Sequence, residues 1–193
     1  MDLSSLLNGA IGQTVIANVA GQLGMNESQA ANAINAAIPA ILGGINKNVQ
    51  STDGATSLDK ALQKHDGSLL DNLTGIFSNN SQELQQDGSG ILGHVFGNKQ
   101  KDMAQAVSEK AGISMQQVGP LLSMLAPIVM GYLGKQKKDN NTNADGLGGL
   151  IGGLLGGEGS SSAGGGIMDM VTGLLDKDKD GSALDDIMGM FTK

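Results

Sequence analysis

Asp176, Asp178 and Asp180 alternate along DKDKDGSALDDI, with Gly181 directly after them. Carboxylates at every second position, followed by a glycine that lets the chain turn sharply, can wrap a hard cation, and Ca²⁺ prefers such oxygen-rich loops. Counted from Asp176, Ser182 stands at the seventh place, where an EF-hand-like loop uses a backbone carbonyl. The twelfth place asks for a bidentate acid and holds Ile187, while Asp186 comes one place early. The metal site expected from this spacing is therefore Asp176, Asp178, Asp180, Ser182 and Asp186, a shortened loop holding Ca²⁺ weakly. The competing reading is a solvated acidic turn that caps a helix, because Asp66 opens a similar segment without the upstream acids.

Other reactive groups are sparse. His65 and His94 are the two histidines, and with no cysteine a zinc site would need carboxylates to complete it. A small-ligand or catalytic site would draw on the same histidines with Asp66, Asp71 and Asp87. Local packing and hydrogen bonding is the simpler role for both rings. Gly88 to Gly93 spells GxGxxG, yet the lead-in SQELQQD is no hydrophobic strand, so a dinucleotide fingerprint is not expected. No Gly-x-Ser-x-Gly elbow occurs. These residues predict a protein that is not an enzyme and needs no cofactor beyond the weak Ca²⁺ site.

The elements that would position these groups repeat. Asp-Gly-Ser occurs three times, each copy shortly before a phenylalanine: DGSLLDNLTGIF from Asp66, DGSGILGHVF from Asp87 and DGSALDDIMGMF from Asp180. Asp caps free N–H groups, Gly allows a tight turn, and apolar residues then follow at helical spacing, so each copy predicts a helix start. A larger repeat aligns residues 24–45 with 112–133 at one offset, 112 − 24 = 88. Gly24 meets Gly112, Gln29 meets Gln117, Pro39 meets Pro127 and Gly43 meets Gly131. In each copy a helix ends at Gly, and Asn26 or Ser114 then caps a new one with Gln three places on. Ala30, Ile34, Ala37, Ile41 and Ile45 draw one buried stripe; Val118, Leu122, Leu125, Val129 and Leu133 draw its equivalent.

Leu23 to Ile45, His65 to Leu73, Gly90 to Gly97 and Val118 to Gly134 resemble the bacterial YidB-like family, an all-helical group of unknown function. The likeness covers roughly residues 1–137. It implies a compact α-helical fold, and brings no activity and no catalytic residues with it.

Bulk composition bounds the rest. With Trp 0, Tyr 1 and Phe 3, the core must come from Ala, Leu, Ile, Val and Met. A net charge of −7, without basic patches interleaved with aromatics, disfavours nucleic acid as a partner. No lysine precedes Lys47, so no secretory leader is expected and the cytoplasm is the default, with leaderless export left open. Ala111 to Gly134 carries no charge and leads into lysines, a weak membrane-like pattern that its polar repeat partner argues against.

The predicted fold is all-α: a compact bundle of two quasi-repeated helical hairpins with short helices between them. The predicted domains are a helical domain over 1–138, a polar and Gly/Ser-rich linker over 139–166, and a short helical segment over 167–193. The expected function is a structural or protein-interaction module whose tail docks on a protein partner or a second copy. A small-ligand binder built on His65 and His94, and a membrane-peripheral protein, are the alternatives. Calorimetric titration of the full chain with Ca²⁺ should show binding on the order of 10⁻⁴ M, lost in Asp178→Ala. Silence at millimolar Ca²⁺ would reduce the acidic turn to a capped helix start.

Overall fold

Gly24 and Gly112 adopt positive φ, 63° and 66°, and each ends one helix so that another can begin. The computed structural model describes residues 9–156. In it these glycines join α1 (Ala10–Leu23) to α2 (Glu27–Asn48) and α7 (Gln100–Ala111) to α8 (Met115–Asp139). A left-handed residue is a favoured helix terminator, and glycine takes it without steric cost. The next helices open on the predicted capping boxes. Asn26 Oδ1 accepts from the Gln29 N–H at 2.8 Å, and Gln29 Oε1 accepts from the Asn26 N–H at 3.2 Å. In the second copy Gln117 Oε1 accepts from the Ser114 N–H at 3.2 Å. Gln117 does one thing more: its Nε2 donates to the Leu23 carbonyl at 3.2 Å, tying the start of α8 to the end of α1.

Both predicted stripes are buried in full. On α8 burial runs further, without a break from Leu121 to Gly134, and takes in Tyr132. The helix is therefore the axis of the bundle. Length and composition would let α8 cross a membrane, but 83% of its apolar window is buried inside the domain, as in the central helix of a bundle.

Around this axis lie α3 (Thr52–Lys64), α4 (Ser68–Asp71), α5 (Leu73–Asn79) and α6 (Ser81–Phe96), all helical, so the described residues form the all-α fold expected. α6 runs closest. A Cβ placed on Gly88 would collide with the Ser123 backbone carbonyl of α8, so only glycine permits that approach. Beside it Ser89 Oγ donates to the Gln85 carbonyl at 2.9 Å and accepts from the buried Ser123 hydroxyl at 3.1 Å. Gly134 does for α3 what Gly88 does for α6, because a side chain there would strike the His65 carbonyl. Lys137 Nζ then meets Asp59 Oδ1 at 2.8 Å, a half-buried ion pair between α8 and α3.

The first Asp-Gly-Ser copy behaves as predicted. Gly67 has φ 97°, Asp66 Oδ1 accepts from the Ser68 N–H at 3.1 Å, and α4 follows. The second copy does not start a helix. Asp87, Gly88 and Ser89 lie inside α6, which begins already at Ser81, and the glycine serves the contact with α8 instead. The third copy lies outside the described residues.

The segment expected as linker also differs. After α8 a short turn leads into α9 (Leu147–Gly156), and Leu147 and Ile151 are fully buried against the domain. Burying these side chains offsets a glycine-rich helix that would not hold alone.

Gly88→Ala should lower stability by about 1–3 kcal/mol through overpacking. Gly90→Ala, two residues along the same helix and facing open space, should raise it by about 0.5–1 kcal/mol. Chemical denaturation of both variants checks the pair, and equal effects would contradict the close approach.

Candidate functional site

His65 forms the C-cap of α3, where its N–H donates to the Ala61 carbonyl. Its Nε2 lies 3.8 Å from Asp87 Oδ2 of α6, with side-chain exposures of 18% and 47%. That separation is beyond hydrogen-bond range, and the pair attracts only when the imidazole is protonated. Asp66 is exposed and spends its carboxylate on the Ser68 N–H. That backbone hydrogen bond, helped by the Ser68 hydroxyl and the Lys138 charge, holds its pKa below the usual carboxylate value.

The remaining candidates go elsewhere. His94 Nδ1 is 3.2 Å from the Gly90 carbonyl of its own helix. It stands seven residues beyond Asp87, about 10 Å along the axis. Asp71 lines a shallow cleft of about 200 Å³ between α1 and the α4–α5 junction, with Ile11, Thr14, Leu70 and Thr74. Neither histidine reaches that cleft. The structure thus brings His65 and Asp87 near each other beside Asp66, and leaves His94 and Asp71 apart. Among the described residues no three His, Asp or Glu side chains gather to hold a metal ion. Asp176, Asp178, Asp180, Ser182 and Asp186, the expected Ca²⁺ ligands, lie outside the described residues.

A different surface emerges from the larger repeat. On α8 the face Met124, Pro127, Ile128 and Gly131 is buried, and the exposed Lys135 follows at its end. It is covered by the Asp-Gly-Ser segment: from the Cβ direction of Gly131, Gly67 Cα and Leu70 Cγ each lie at 3.8 Å. The equivalent face on α2 is Ala36, Pro39, Ala40, Gly43 and Lys47. There Ala36 is buried, but Pro39, Ala40 and Gly43 are half-buried and Lys47 is exposed. A Cβ on Gly43 meets nothing within 4 Å among the described residues. The flanking helices differ in the same sense. Val15 of α1 is buried, while Met103, its counterpart on α7, is half-exposed. The 88-residue offset carried the signal for this surface, but a stripe pattern alone does not show which copy is covered.

Residues 5–136 match the model of a family described as bacterial protein of unknown function (DUF937). No curated protein and no solved structure matches the chain.

The depressed Asp66 pKa carries a sign. A carboxylate stabilised in the folded state adds stability at neutral pH, and that contribution is lost as pH falls through the lowered folded value. Carboxyl NMR should therefore place the titration of Asp66 below the usual carboxylate value. The stability gap between the natural chain and Asp66→Ala should close in acid; a gap constant with pH would contradict the cap.

Proposed function

We propose, from the premise that this chain belongs to a family of bacterial proteins of unknown function, that it is a non-enzymatic structural or protein-interaction module. The finer likeness to the YidB-like group, the tail as docking segment and a cytoplasmic setting are parts of the same proposal. One observation supports it above the others: two equivalent helix faces, one sealed and one half-open, on an otherwise filled bundle. An enzyme concentrates its polar groups in a cleft. Here the uneven feature is an apolar helix face with a lysine at its end, the form a helical partner fits. The net charge of −7 favours a protein partner over nucleic acid.

Removing residues 157–193 tests the reading while keeping Leu147 and Ile151 of α9 in place. The shortened chain should bind more of an apolar-surface dye or sediment differently from the full chain. Identical behaviour in both assays would overturn the docking role of the tail.

A further inference from the structure

We propose that residues 180–191 of this same chain occupy the half-open face of α2 and the adjoining flank of α7, reproducing there the seat that residues 66–77 fill on α8 through α4 and on α1 through α5. The inference rests on the interaction-module reading and names the occupant of its surface.

The case begins with what the filled seat demands. Segment 66–77 needs an acid to cap Ser68, a glycine at φ 97° beside Lys135, and apolar anchors at Leu70, Leu73 and Phe77, which are 7%, 4% and 4% exposed. It also carries a glycine at 75, where a Cβ would press on the end of the Asn72 side chain. Residues 180–191 supply every one of these without a gap: Asp180, Gly181 and Ser182, anchors Leu184, Ile187 and Phe191, and Gly189. The chain therefore holds two copies of a filler.

It also holds two copies of the seat. Gly43 and Lys47 stand where Gly131 and Lys135 stand, and the first pair is uncovered among the described residues. Charge agrees: Lys47 makes no ion pair among the described residues, and the second filler carries Asp180, Asp185 and Asp186. One departure limits the likeness. Asn46 replaces Gly134, whose missing side chain admits the end of α3, so nothing like α3 can lie equally close to α2. The proposal accordingly starts at Asp180.

Reach favours the chain's own tail. α9 already lies on α2, its start at Gly148 against Val49, so the tail departs from a helix packed on α2 itself. As a random coil, the stretch from Gly156 to Asp180 would span roughly 25–30 Å, enough to cross a domain of this size.

The filled seat also sets the test. From the Cβ direction of Gly131, the Leu69 Cβ lies at 4.0 Å, within the range a disulfide bridges. The matching positions are Gly43 and Ala183, in a chain with no cysteine. The full chain carrying Gly43→Cys and Ala183→Cys should form a within-chain disulfide in a glutathione redox buffer. Its yield should be roughly tenfold above that of Gly43→Cys with Ser161→Cys, which shares the tether but not the seat. Adding Leu184→Asp should return the yield to that control. A yield equal to the control, or a disulfide found only between two chains, would overturn the proposal. Should the shortened chain still differ from the full one in that case, the interaction reading stands and only this seat falls.

Discussion

The nearness of other backbones to α8 governs the fold. At Gly88 a neighbouring helix lies against the Ser123 carbonyl, and at Gly134 the His65 carbonyl lies against α8 itself. A methyl group at either place would push the elements apart. Dispersion falls steeply with such a gap, and the thin side chains of this core have little area to make up the loss. Glycine here is a packing residue, and the short, aliphatic composition makes sense only together with it.

The two halves of the repeat share a grammar but not an environment. Each ends a helix on a left-handed glycine and begins the next with a capping box. Beyond that, α8 is enclosed and α2 serves as a wall. The Gln117 side chain joins the halves by reaching the Leu23 carbonyl, a contact between residues 94 apart in sequence. Such a link ties the start of the central helix to the end of the first, and side chains of both halves meet in one hydrophobic core.

Much of this was legible beforehand, and the failures are instructive. The stripes on α2 and α8 and both capping boxes follow from periodicity and local hydrogen bonding, which act within one turn of the chain. Asp-Gly-Ser at 87–89 has the composition of a helix cap, whereas tertiary contact with Ser123 sets its role inside α6. The α9 segment reads as linker because five of its ten residues are glycine. Its two anchors, Leu147 and Ile151, decide the matter through burial that no local window contains. For the site, sequence supplied the titratable residues but not their dispersal. His65 approaches Asp87 only because α3 and α6 both lean on α8.

Tyr132 sits in the buried run of that axis, 3% exposed, in a protein with no tryptophan. One phenol ring is thus the source of nearly all intrinsic emission, placed inside the hydrophobic core. Its ultraviolet signal reads the interior of the bundle directly, free of background from surface chromophores. The same economy makes the protein nearly invisible to the absorbance by which proteins are ordinarily quantified, so its concentration is better followed at the peptide band.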